Sequence, residues 1–208
     1  TVKDTELTLS MKLGLVMDKK FYDQMMTYIR AIDFECSGLG NVSTESGVLT
    51  LNNISLPRQN GTGGGTELDA DAVSSMMTQE VKKGNMKAQN FWWHSHVKMG
   101  TFWSTIDDDN CDRLSQGSGF LVSIVGVQSG EMRCRFDISK PFRLTIDEIP
   151  IYVTTKATNG RIAQGWKNEI TKNVKRIPIV TTIPKGYYGG YTDLDAGSRF
   201  YTPTKQPS

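Results

Sequence analysis

The chain has 208 residues and 23.2 kDa with 38% hydrophobic residues, which is enough for one sizeable core and too short for two full domains. Its formal net charge of +2 is uneven: residues 1–150 carry 15 Lys+Arg against 19 Asp+Glu, and residues 151–208 carry 9 against 3, an acidic body followed by a basic extension. No run reaches the roughly 18 apolar residues of a membrane span and no signal-peptide core opens the chain, while three widely spaced cysteines without a C-x-x-C pair argue against a disulfide framework or zinc ribbon and suit a reducing, cytoplasmic setting.

From Asp18 to Ile32 the residues Phe21, Met25, Met26, Ile29 and Ile32 recur at helical spacing, with Asp18 suited to cap the N-terminus, so an amphipathic helix is expected. Glycines in AIDFECSGLG end that pattern, with a short strand through Phe34. GVLTLNNISL reads as the next strand. It is followed by the turn-forming Pro57 and by NGTGGGT, which reads either as a mobile loop bordering a site or as a plain surface linker. LDADAVSSMMTQEVKKGN gives a second helix that starts near Asp69 or Asp71 and stops at Gly84-Asn85; Val73, Met76, Met77 and Val81 share one face, and its Met residues are expected in the core and not as a metal box.

NFWWHSHV reads as a strand that packs Trp92 and Trp93 on opposite sides of the sheet, and TIDDDNCDRLSQGSG as a short helix with an acidic first turn. FLVSIVGVQ, EMRCRFDI and PFRLTI follow as strands, the first two joined at Ser129-Gly130. Early alternation and a late meander predict an α/β fold, a mixed β-sheet flanked by helices. IYVTTKATNG is expected to close the sheet. Residues 160–208 hold few apolar clusters, so the body is set at 1–150 and a basic C-terminal extension, partly extended or disordered, at 151–208. Its aromatics Tyr187, Tyr188, Tyr191, Phe200 and Tyr201 could stack on nucleic acid, but such a segment more often packs on its own domain or on a partner.

HSHVKMGTFWSTID, residues 94–107, holds both histidines of the chain. On a strand, side chains at i and i+2 share a face, so His94 and His96 can approach one ion together while Ser95 faces away. An H-x-H pair alone is weak evidence. No histidine remains and no cysteine pair is placed to help, so the third ligand should be a carboxylate. Asp107 is the candidate, because in a helix beginning near Ser104 the two share a face. Asp108 and Asp109 are the neighbouring alternatives, otherwise expected to cap the helix and stay solvated. Two histidines and one carboxylate leave an open position on a tetrahedral zinc, and a general base is then needed to take a proton from water. Glu35 stands in a segment apolar enough to be buried, where a carboxylate is paired, metal-linked or catalytic, with a structural salt bridge as the plain alternative. The neighbouring Cys36 would need a histidine base to act as a nucleophile, and both imidazoles are committed elsewhere. Phe102 and Trp103 either line a substrate channel or shield the metal.

His94-x-His96, seven residues, Ser104, two residues and Asp107, with Glu35-Cys36-Ser37-Gly38-Leu39 upstream, resemble the JAMM signature of the MPN/JAB metalloprotease family over roughly residues 15–140. The resemblance implies a zinc-dependent peptidase or isopeptidase on a cytidine-deaminase-like α/β fold. His94, His96 and Asp107 would hold Zn2+, Glu35 would activate the bound water, and Ser104 would donate a hydrogen bond to that water or to the oxyanion. It also implies a protein or peptide substrate, in many relatives a ubiquitin-like protein cleaved after a C-terminal diglycine and laid along a sheet edge. Val97 and Trp103 stand where many eukaryotic members carry prolines, so the stretch is more similar to bacterial and bacteriophage members, and ubiquitin itself is not implied. Two rival readings remain: a non-catalytic binding or assembly module on the same fold, and a zinc hydrolase of small amides.

Overall fold

The computed structural model describes residues 13–45, 48–82, 89–154 and 160–177. Strand β1 (Leu15–Met17) leads into helix α1 (Lys19–Ala31), whose bounds are those the apolar spacing predicts. Asp18 caps it: the carboxylate accepts the Lys20 N–H at 2.9 Å, a contact whose loss typically costs about 1 kcal/mol. Ile32, in extended conformation, ends it. Met25, Met26, Tyr28 and Ile29 are buried against the sheet.

The chain continues through β2 (Ser37–Glu45), β3 (Val48–Ser55), β4 (Gln59–Thr62), β5 (Gly65–Leu68), α2 (Ala70–Lys82), β6 (Phe91–Ser95), α3 (Thr105–Ser118), β7 (Phe120–Gly126), β8 (Met132–Ile138), β9 (Leu144–Ile146), β10 (Ile151–Val153), α4 (Gly160–Asn173) and β11 (Val174–Arg176). Among the described residues, eight strands form a mixed sheet in the order β10-β1-β3-β2-β6-β7-β8-β9, and three form a smaller one, β11-β4-β5. In the large sheet β10–β1, β1–β3 and β6–β7 run parallel and the other neighbours antiparallel. The expected mixed sheet with flanking helices is thus present. None of the described helices is long and apolar enough to cross a membrane.

Alternation along β6 divides the core. Phe91 and Trp93 join the larger apolar cluster with α1, whereas Trp92 joins a smaller one with Leu39, Cys111 and Leu121 beside α3. The tryptophans therefore face opposite sides, as the alternation predicts. Trp93 is fully buried and stacks on Tyr28 at 5.6 Å.

Four expectations need correction. The glycines of SGLG do not end a pattern; they lie inside β2, and Phe34 precedes the strand. A Cβ on Gly38 would sit 2.1 Å from the Ser55 carbonyl oxygen and 2.4 Å from Trp93 Nε1, so glycine is what lets the sheet close over the indole. NGTGGGT is neither loop nor linker, because it forms most of the β4–β5 hairpin, with Gly63 and Gly64 at the turn. In α2, Val73 and Met76 pack partly against the smaller cluster, but Met77 and Val81 are exposed and none of the helix is buried; its proposed stop at Gly84-Asn85 lies outside the described residues. Finally, the basic extension contributes structure to the body. β10 pairs with β1 at the edge of the sheet, as expected of IYVTTKATNG, and beyond it α4 packs on α1 with Trp166 buried and β11 pairs with β4. The amphipathic spacing of Trp166, Ile170 and Val174 carries that signal. The aromatic segment from Tyr187 onward lies outside the described residues.

Candidate metal centre

Strand β6 delivers the histidines. The β2–β6 ladder pairs Ser37 with His94; one step further Ser95 N–H donates to the Cys36 carbonyl at 2.8 Å, and the next residues along the two chains are Glu35 and His96. Ser95 turns away, its hydroxyl accepting the Cys36 N–H at 3.1 Å. Helix α3 supplies the carboxylate through its first turn. Ser104 is the N-cap and Asp107 the third helical residue, so together they form a capping box: Ser104 N–H and Oγ–H donate to Asp107 Oδ2 at 2.8 and 2.7 Å, and Asp107 N–H donates to Ser104 Oγ at 3.2 Å.

These elements bring His94, His96 and Asp107 into one buried group that could hold a metal ion, with ligand atoms all within 4.8 Å of one another. His94 Nε2 lies 3.1 Å from His96 Nε2 and 3.2 Å from Asp107 Oδ1; His96 Nε2 lies 3.4 Å from Asp107 Oδ2. His96 Nδ1 faces the Gly100 carbonyl at 3.2 Å, a contact that sets a proton on Nδ1, so that a ring carrying no second proton would offer its Nε2 lone pair to a metal ion. His94 Nδ1 is buried with no hydrogen-bond partner among the described residues. Val97, which follows His96, holds φ at 53°, an unfavourable conformation for a β-branched residue, and so marks the turn that folds Gly100 back onto the ring.

Burial raises the Asp107 carboxyl, but hydrogen bonds from both imidazoles and from Ser104 outweigh it and hold the group well below the usual carboxylate range. Burial also dominates at His94 and lowers it, against the opposing pull of Asp107. At His96 burial acts downward, yet Asp107 and Glu35 outweigh it and the net direction is up. Glu35 is half-buried. Burial raises it to about 7, with the Asp107 charge adding to the rise and His96 opposing it, so the carboxyl feels the His-His-Asp group across the gap. Burial pushes the neighbouring Cys36 thiol up to about 12; its Sγ faces Ser95 Oγ at 3.4 Å, and no imidazole is within hydrogen-bonding reach.

Four of the five expected site residues thus meet directly, from β6 and α3, while Glu35, in the segment before β2, is linked to them through the charges of His96 and Asp107. Ser104 differs in one respect: its single hydroxyl proton is spent on Asp107, which makes it a support of the carboxylate in this structure. Asp108 and Asp109 stay outside the group. Asp108, expected to cap the helix and stay solvated, lies exposed in its first turn and also accepts from Arg135 Nη1 at 2.5 Å. Arg135, a buried cation beside the site, is the residue that sequence reasoning missed. It is buried, donates from Nε to Asp137 at 2.9 Å and lies 4.8 Å over the Trp103 ring. Period-2 alternation in EMRCRFDI was the available signal, since it sets Arg133, Arg135 and Asp137 on one face, opposite Cys134 and Phe136. Trp103 is held in place as well by Nε1–H donation to Asp147 at 3.1 Å and walls one side of His94, which stacks on Trp92 at 4.3 Å on another. Phe102 borders His96 with its ring centroid at 4.7 Å and stays largely exposed.

Comparison with protein-family models finds no match to this chain, and comparison with curated proteins finds none either.

Proposed function

We propose that this chain is a zinc-dependent peptidase or isopeptidase of the JAMM type, on the cytidine-deaminase-like fold of the MPN/JAB family. The observation that carries the reading is the spacing of the donor atoms. Ligands held about 2.0–2.1 Å from a tetrahedral zinc lie about 3.3 Å from each other; His94 Nε2 lies 3.1 Å from His96 Nε2 and 3.2 Å from Asp107 Oδ1, near that spacing, and the other carboxylate oxygen, Oδ2, lies 3.4 Å from His96 Nε2. Two neutral nitrogens and one anionic oxygen are also a donor set that zinc favours over magnesium or calcium. When bound, the metal lowers the pKa of water and polarises a carbonyl.

The remaining work falls to the protein. Glu35, poised near neutrality and coupled electrostatically to His96 and Asp107, takes a proton from the attacking water and returns it to the departing amine. Ser104 keeps Asp107 oriented. Trp92 and Trp103 exclude solvent around His94, which strengthens electrostatic interactions at the site. The substrate on this reading is a protein or peptide carbonyl, with a ubiquitin-like protein ending in diglycine as the first class to try.

The test is zinc content by elemental analysis of protein purified without added metal, followed by a hydrolysis panel of diglycine-linked fusions, peptides and small amides. About one zinc per chain is expected. Glu35→Gln should keep the zinc and lose turnover, and Asp107→Ala should lose the zinc. No zinc, even when it is supplied, would overturn the reading and favour a binding module; turnover of small amides alone would reassign the substrate.

A further inference from the structure

Glu35 lies between α1 and β2, in a segment belonging to neither, so its position is fixed from outside. Much of that fixing comes from the small sheet. Gln59 of β4 is only 3% exposed and its amide is fully used. Nε2 donates to the Ser37 carbonyl at 2.8 Å and to the Pro57 carbonyl at 3.0 Å, while Oε1 accepts the Ser37 N–H at 2.8 Å and the Thr66 hydroxyl at 3.1 Å. One side chain therefore serves Ser37 as the backbone of a neighbouring strand would, pairing both its N–H and its carbonyl.

The same strand also holds Glu35 directly, because the Thr62 carbonyl accepts the Glu35 N–H at 3.1 Å. Between these two ties there is no slack. A Cβ on Gly61 would lie 2.5 Å from the Glu35 carbonyl oxygen and 2.4 Å from the Phe34 ring. On the far side of β4, Arg176 of β11 pairs with Asp33 at 2.9 Å and lies 5.6 Å from the centre of the Phe34 ring. Residues 33, 35 and 37 are each held by the small sheet, and Glu35, whose carboxyl senses the charges of His96 and Asp107, is the middle one.

We infer that Gln59 is a positioning residue for Glu35, and that the β11-β4-β5 sheet is the mount on which this carboxylate is carried to the metal centre. The inference rests on the reading of Glu35 as the general base. Any fold could hold Ser37 by extending a strand. A buried amide that meets both the N–H and the carbonyl of Ser37, and spends its other two bonds on Pro57 and Thr66, is costly to leave partly unpaired, at about 1–3 kcal/mol per group, and it fixes the segment without a further backbone strand.

The test uses the full chain free of metal. Gln59→Met preserves bulk and removes all four bonds. The Glu35 titration midpoint, followed through its carboxyl carbon by NMR, should fall by about one unit as the group gains water, and the Glu35 and Ser37 amides should exchange about tenfold faster or more. Zinc affinity, read against a chromophoric chelator, should change by less than about threefold, since the ligands sit on β6 and α3. Thr66→Val removes one of the four bonds and leaves the buried amide in place; it should give a smaller shift in the same direction and decides the matter if Gln59→Met does not fold. An unchanged Glu35 midpoint with unchanged local exchange overturns the inference, as does a loss of zinc affinity that accounts for the whole effect. The midpoint and exchange readings need neither zinc nor substrate, so failure of the peptidase reading is scored separately.

Discussion

Ser104 and Asp107 hold each other through three hydrogen bonds, of which two converge on the same carboxylate oxygen, Oδ2. The residue that starts α3 is thereby also the residue that aims a candidate metal ligand, and helix stability and metal affinity are tied to one hydroxyl. Ser104→Ala is expected to cost about 1 kcal/mol of stability through the lost cap and to weaken zinc binding about 10- to 100-fold by freeing Asp107. Ser104→Thr, which keeps the hydroxyl, should restore most of both. Denaturant titration and chelator competition measure the two losses. A variant that loses its cap yet binds zinc as the parent does would show that Asp107 is aimed by the imidazoles alone.

Arg135 is buried between Asp108 and Asp137 with Trp103 across its face. Asp137, itself buried, keeps among the described residues only the Thr145 hydroxyl at 2.7 Å as a side-chain donor if the guanidinium is removed. Breaking such a pair from one side leaves an uncompensated charge, so Arg135→Met should destabilise the fold by about 3 kcal/mol or more. Replacing both partners, as in Arg135→Met with Asp137→Leu, should recover much of that loss, because an apolar pair of similar volume avoids the desolvation penalty. Urea midpoints of the two variants decide it; a single variant within about 0.5 kcal/mol of the parent would mean that the network is incidental.

What could be read from the sequence, and what could not, follows the range of the interactions. Asp18, the apolar spacing of α1 and Ile32 act within a few residues of one another, and the helix has the predicted bounds. His94, His96, Ser104 and Asp107 lie within one stretch of 14 residues, where strand and helix periods decide which side chains meet. Gly38 misled because its reason is Trp93, far along the chain, and Gln59 carried no local signal because its partner Ser37 belongs to another strand. Met77, on the face it shares with Val81, was read as core from its spacing, yet spacing reports amphipathicity and does not say what covers the face.

That contrast makes its own prediction. Gly38→Ala places a methyl against the Ser55 carbonyl and the Trp93 indole, neither of which can yield cheaply, and should cost about 2–3 kcal/mol. Met77→Lys and Val81→Lys, on an exposed surface, should each change stability by less than about 0.5 kcal/mol. Thermal or urea unfolding of the three variants tests both halves. A destabilised Val81→Lys would indicate that this face is covered in the folded protein in solution.

The Glu35 carboxyl gives the metal-free chain a pH dependence of known sign. Its titration lies near 7 in the fold against an ordinary value of 4.5, so the folded state prefers the protonated form. Below about pH 4.5 both folded and unfolded chains carry the proton, and the group contributes no penalty. As pH rises toward 7, unfolding releases a proton that the fold retains, and stability falls; above about 7 the loss is complete. The shift corresponds to about 3 kcal/mol at full strength, reduced to about 1–2 kcal/mol because the side chain is only partly shielded from water. Glu35→Gln is neutral at every pH and lacks this loss. The variant should therefore match the parent near pH 4 and exceed it by about 1–2 kcal/mol at pH 8, with the difference opening between those limits, when both are unfolded by urea in the presence of a chelator. Equal stability at pH 8 would mean that Glu35 is better solvated than its surroundings indicate, and a carboxylate so exposed would be a poorer proton acceptor near neutrality than the proposed role requires.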